Sequence, residues 1–139
     1  MLIKKHADGY VVSMEGYRKE LCSRFSMDIE KIAEPGRVPA LASIFEPSPK
    51  NDPHVDRVRY LGMVMSVMYI ARLTRADILL LTVYLATKGQ SPTLKNYMGL
   101  CRILKYDKDG GPMSIHFKKV QGVEVTINAN SGHGMYPDE

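Results

Sequence analysis

The chain has no tryptophan and only two cysteines, Cys22 and Cys101, far apart in its 139 residues. Two distant thiols make neither a disulfide framework nor a metal-ligand pattern, so a reducing compartment is the default expectation. The four histidines, His6, His54, His116 and His133, have no metal-ligand spacing. No Ser, Cys and His arrangement forms a recognisable nucleophile motif. Long apolar runs are missing too. The longest, residues 60–71, is closed by Arg59 and Arg72, and twelve residues fall short of the about 20 that span a bilayer. The N-terminus lacks the apolar stretch of a signal peptide. These absences point to an intracellular protein, cytoplasmic or nuclear, without a membrane-embedded segment.

Acidic residues are scarce in the middle of the chain. Residues 57–108 hold nine Lys/Arg against two Asp/Glu, whereas residues 1–56 hold eight against nine and residues 109–139 two against four. A basic middle between near-neutral ends suits a polyanion-facing segment. The same charges would equally serve as solubilising groups on amphipathic helices.

The pattern along the chain predicts an α+β fold. Asp8-Gly9 separates two strand-like runs within residues 4–12, the signal of a β-hairpin. Ser13 is placed to cap a helix whose face carries Tyr17, Leu21 and Phe25 and which ends near Phe25 or Ser26. Residues 34–53 contain Pro35, Pro39, Pro47, Pro49 and Pro53, which forbid a regular helix and suggest an extended linker. Three helices follow. The first runs from about Pro53 or Asp56 to Leu73. The second starts at a capping box formed by Thr74 and Asp77 and stops at Gly89. The third starts at Ser91-Pro92 and runs to about Tyr106. After Asp109-Gly110-Gly111-Pro112, residues 113–117 and 123–128 alternate as a pair of strands. The resulting divisions are residues 1–33, 34–53, 54–108 and 109–139.

The first two helices of the trio are apolar almost all round, apart from Gly62 and Ser66, whose small side chains would admit a neighbouring helix. So short a chain can hardly bury two such helices completely; either it packs very compactly, or an apolar surface is left for another copy or a partner. The third helix is amphipathic. Tyr97, Leu100, Cys101 and Leu104 share one face, and Lys95, Arg102 and Lys105 lie opposite. Those three, extended by Arg57, Arg59, Arg75, Lys88 and Lys108, would form a ridge that neutralises phosphates along an RNA–DNA or DNA duplex.

Residues 60–78 read YLGMVMSVMYIARLTRADI. This resembles the segment of copia-type retrotransposon reverse transcriptases that runs Tyr, three variable residues, Val-Gly-Ser-Leu, one residue, Tyr-Leu-Ala, then Thr-Arg-Pro-Asp-Ile. Tyr60, Val64, Ser66, Tyr69, Ala71, Thr74, Arg75, Asp77 and Ile78 fall on the pattern. Met65, Val67 and Ala76 depart from it. Ser91-Pro92-Thr93 is similar to the family's Pro-Thr helix start, and residues 100–106 to its Leu-Lys-Arg-Ile-Leu-Arg-Tyr run. Upstream, Asp8-Gly9, Tyr17, residues 24–27 and Pro35 resemble the stretch where palm leads into thumb.

The resemblance implies a slice of a polyprotein with protease, integrase, reverse transcriptase and RNase H. The slice would be the thumb and connection region leading into the first strand of RNase H. The rest of that polyprotein would then be a partner. The family's Tyr-x-Asp-Asp motif, which binds the Mg²⁺ ions of the polymerase, should lie before Met1. Within residues 60–106 the only carboxylate is Asp77, read as a helix cap rather than a ligand for two-metal chemistry. Asn128 and Asn130 stand where RNase H carries aspartates, and a neutral amide is a poor Mg²⁺ ligand. The expectation is therefore a non-catalytic fragment, with no catalytic residue and no metal or other cofactor of its own. A small helical interaction module derived from such an element, or the product of a decayed copy, are the alternatives.

Overall fold

A computed structural model describes residues 1–119 and Gly122. The chain forms an α+β structure: a helical body, and a three-stranded antiparallel sheet in which the strands lie in sequence order, the last being β3 (Ser114–Lys118). β1 (Leu2–His6) and β2 (Gly9–Ser13) pair from Leu2↔Ser13 to His6↔Gly9. The turn is therefore Ala7-Asp8, with Gly9 already in the ladder. Glycine is required there, because φ is +151° and a Cβ would lie 1.9 Å from the Phe117 carbonyl oxygen.

Helix α1 (Glu15–Arg24) begins after Met14, and the Ser13 hydroxyl accepts from the Glu15 N–H at 3.3 Å. It buries Leu21 and ends where expected. A short turn of helix, α2 (Ser26–Ile29), buries Asp28 and Ile29. The proline-rich crossing is irregular, with bends at residues 37–39, a turn closed by the Asp52 N–H on the Pro49 carbonyl at 3.0 Å, and one 3-10 turn, Ala42–Phe45, which sets Ile44 into the core. It is no free linker. Gly36 lies so close to the last of the helices, α5 (Leu94–Gly110), that a Cβ would sit 2.6 Å from the Lys105 carbonyl oxygen, and the Phe45 ring meets Tyr84 edge-on at 4.9 Å. One core includes Leu21, Ile29, Ile44, Tyr60, Leu85 and Leu104, so the first three sequence divisions share a single interior.

Helix α3 (Arg57–Leu73) is capped by Asp56, whose carboxylate accepts from the Arg59 N–H at 2.7 Å. The expected capping box at Thr74 and Asp77 does not form. Thr74 closes α3 instead, its N–H bonding back to the Ile70 carbonyl at 2.9 Å. A 3-10 turn, Ala76–Ile78, then leads into α4 (Leu79–Thr87), which ends in a second such turn, Lys88–Gln90. Helix α5 (Leu94–Gly110) starts two residues later than Ser91-Pro92 suggested. Thr93 and Asn96 form a reciprocal capping box there, which satisfies two orphan N–H groups at once. It runs past Tyr106 because Asp107 is anchored inside, as described below.

α3 and α5 run side by side in the same direction. At their starts, the Val55 N–H bonds the Pro92 carbonyl at 3.0 Å and the Leu94 N–H bonds the Pro53 carbonyl at 2.8 Å. β3 (Ser114–Lys118) follows α5. One edge of it joins the N-terminal hairpin, Tyr10 facing Phe117 and Val12 facing Ile115, a pairing that the local sequence pattern does not indicate. The hairpin leaves the outer edge of β2 unpaired, and β3 satisfies those backbone groups. Residues 123–128, with Asn128 and Asn130, lie outside the described residues.

Candidate nucleic-acid interface

The densest ionic arrangement is inside the protein. Arg75, 2% exposed, projects from the corner between α3 and the following turn. Its Nη1 donates to Oδ1 of Asp107 at 2.6 Å, while Nε and Nη2 grip both carboxylate oxygens of Asp77 at 3.0 and 2.9 Å. The guanidinium stacks over the Tyr106 ring at 5.0 Å, and the Tyr106 hydroxyl donates to Asp77 at 3.0 Å. From α1, Arg18 donates to the Asp107 carbonyl at 2.9 Å, comes within 3.7 Å of its carboxylate, and holds Glu15 in a two-pronged pair. Oδ2 of Asp107 is buried with no hydrogen-bond partner.

Burial raises the Asp107 carboxyl above its ordinary value, opposed by Arg75 and then Arg18. Arg75 holds the Asp77 carboxyl below its ordinary value. Fork-shaped pairing of this kind suits arginine, and here it fastens three helices. A guanidinium enclosed by two carboxylates and a ring cannot reach a phosphate, so Arg75 is removed from the basic ridge.

Four more of the seven candidates are committed within the fold. Arg59 donates to the buried Asp28 at 2.8 Å and lies over the Tyr97 ring at 5.7 Å. The Lys95 ammonium donates to the carbonyls of Glu46 and Pro47 at 2.6 and 3.3 Å. Arg102 pairs with Glu34, and Lys105 lies 3.4 Å from Asp109, whose carboxylate accepts from the Gly36 N–H at 2.8 Å. The basic face of α5 is thus the seat of the proline-rich crossing. Arg57 is exposed, with one N–H on the Gly89 carbonyl at 3.1 Å. Lys108 is exposed and, among the described residues, has no ionic partner. The candidates therefore do not converge. Arg57 begins α3 and Lys108 ends α5, two helices about 25 Å long that run together.

Several features escaped sequence reasoning. Arg72, exposed beside the Arg75 corner, lies at the same end of the body as Lys108. Asp28 is buried; burial works against its charge, but hydrogen bonds led by Lys31 prevail and its carboxyl is lowered. Tyr97 is raised to about 12 by burial first and then by the nearby Asp28 carboxylate. The Cys101 thiol is likewise pushed up to about 12 by burial, which leaves it inert as a nucleophile. Among the described residues, no three His, Cys, Asp or Glu side chains converge on a metal-sized space, and no helix is long and apolar enough to cross a membrane.

Part of the apolar surface of α3 and α4 is open. Val58, Met65 and Tyr69 stand 79%, 64% and 46% exposed on α3, with Leu80 and Val83 exposed on α4. No neighbouring helix uses Gly62, which faces open space.

In class, then, the molecule is an α+β protein whose helices are pinned by buried ion pairs and whose sheet stands largely uncovered. No family model, curated protein or solved structure matches the chain.

Proposed function

We propose that this chain is a non-catalytic piece of a copia-type reverse transcriptase and RNase H polyprotein, a thumb-and-connection scaffold that contributes contacts to the primer–template backbone in the longer enzyme. The observation that carries this reading is the corner at Thr74, Arg75, Asp77 and Ile78. These residues of the resembling motif build the turn between α3 and α4 and lock it to α5, which is the behaviour of a scaffold signature rather than of a reactive centre. The phosphate-contacting groups are then the exposed cations, Arg72 and Lys108 at one end and Arg57 at the other, and not the ridge of α5. Mg²⁺ belongs to other parts of such a polyprotein. A filter-binding titration against an RNA–DNA hybrid tests the reading. Salt-sensitive binding weakened by Lys108→Ala supports it, and the absence of such binding by a folded sample refutes it.

A second reading is favoured by the exposed apolar side chains of α3 and α4. It treats the chain as a helical interaction module that meets another copy or another part of the polyprotein through Val58, Met65 and Tyr69. Sedimentation distinguishes the two, because the module gives a discrete oligomer and the scaffold a monomer.

A further inference from the structure

The sheet carries side chains that neither reading uses. Register places Ile3, Val12 and Ile115 in one row and Lys5, Tyr10 and Phe117 in the next, all on the same face. This face is open, with Ile3, Tyr10 and Phe117 being 55%, 50% and 57% exposed. Tyr10 and Phe117 are direct cross-strand neighbours, so their rings stand about 5 Å apart at the base. Gly9 fixes them there, since its missing side chain lets β3 lie against β2 at Phe117. Around the rings the charge has one sign. Lys5 shares the face by register and Lys119 joins it at the rim of the concavity, whereas Lys4 and Lys118 alternate to the opposite face, and the one nearby carboxylate is Asp8 in the turn. Lys5, Tyr10, Phe117 and Lys119 line a shallow concavity of about 480 Å³ at the hairpin end.

We infer that this face binds single-stranded nucleic acid, with unpaired bases stacked on Tyr10 and Phe117 and the phosphates held by Lys5 and Lys119. Two side-by-side rings on a rigid sheet offer flat surfaces to any base, and lysines beside them neutralise the backbone between successive bases. A duplex keeps its base faces inside its own stack and cannot use the rings. A second copy of this chain seated on this face would bring its Lys5 and Lys119 against the same pair, which like-charge repulsion opposes. The inference is independent of the helical scaffold reading, which uses Arg57, Arg72 and Lys108 on other elements.

The test uses the full chain with fluorescein-labelled oligo-dT, free and annealed to oligo-dA, followed by anisotropy across a salt series. The single strand should bind more tightly than the duplex. Tyr10→Ala and Phe117→Ala should each weaken it about tenfold, Lys5→Ala should lower the salt slope by roughly 0.7, and Lys108→Ala should leave single-strand binding unchanged. Because the chain has no tryptophan, Phe117→Trp gives a single reporter that also survives failure of the alanine variants to fold. Its fluorescence should be quenched by oligo-dT as a base stacks on it. Equal affinity for single strand and duplex, binding without quenching, no binding at all, or self-association abolished by Tyr10→Ala would each overturn the inference. Loss of duplex binding in Lys108→Ala with single-strand binding intact would separate the two surfaces.

Discussion

Arg75 and Asp107, 32 residues apart in sequence, meet at 2.6 Å with both side chains only 2% exposed. The pair joins the end of α3 to the end of α5, and Arg18 brings α1 to the same point. Its net worth depends on the difference between mutual attraction and the cost of leaving water, whereas removing one member strands the other. Asp107→Ala should therefore destabilise the fold by roughly 3–5 kcal/mol in urea denaturation. Combining it with Arg75→Met should recover part of that loss, a coupling that a double-mutant cycle reads directly. Additive losses would mean that the two groups do not act as a pair.

Acid should weaken the protein through Asp77 and Asp28. Both carboxyls are lowered in the folded state, so their contribution is complete above the ordinary carboxylate value and disappears as pH falls through the folded one. Asp107 is raised and acts in the opposite sense, losing its contribution as pH rises through its folded value. Melting temperature followed downward from pH 5 should drop in the native chain and drop less in Asp77→Asn. Parallel curves would remove Asp77 from the account.

Gly9→Ala should detach β3. The new Cβ meets the Phe117 carbonyl at 1.9 Å and the backbone is at φ +151°, so either the strands separate or the hairpin distorts, at a cost of roughly 1–3 kcal/mol. Hydrogen exchange at residues 114–118 should accelerate while exchange in α3 and α5 stays slow.

Gly36→Ala should loosen the proline-rich crossing, since the added carbon collides with the backbone of Lys105 and Tyr106. Limited proteolysis should then cut within residues 34–53 faster than in the native chain. The released Arg102 and Lys105 would become available to phosphates, which should steepen the salt dependence of RNA–DNA hybrid binding.

Arg75→Gln and Lys108→Ala should part company in any duplex-binding assay. The first should cost stability and leave the salt slope unchanged, while the second should leave stability unchanged and reduce the slope by about 1. A slope change in Arg75→Gln would restore it to the phosphate-contacting set.

The elements that rest on local pattern were legible in the sequence: the hairpin, the Tyr17–Leu21–Phe25 face, the Asp56 end of α3 and the buried stripe of α5. The proline spacing ruled out a helix in the crossing, as the structure has it, but hid its attachment to α5. The misreadings share a cause. Thr74-Arg75-Ala76-Asp77 has the composition of a capping box, yet Asp77 is claimed by Arg75, and that choice depends on Asp107 and Tyr106, 30 residues away and invisible to local spacing. Lys95, Arg102 and Lys105 read as a solvent-facing or phosphate-facing stripe because a helical wheel does not show what lies across it. Residues 113–117 were recognisable as a strand, but strand partners come from tertiary pairing, and the free edge of β2 lies about a hundred residues upstream.

That long-range pairing of β2 with β3 sets an order on synthesis. Helices α1 to α5 are all translated between β2 and β3. Until β3 is made, the nascent protein carries the open edge of β2, Gly9–Ser13, a segment without a charged side chain to oppose mispairing.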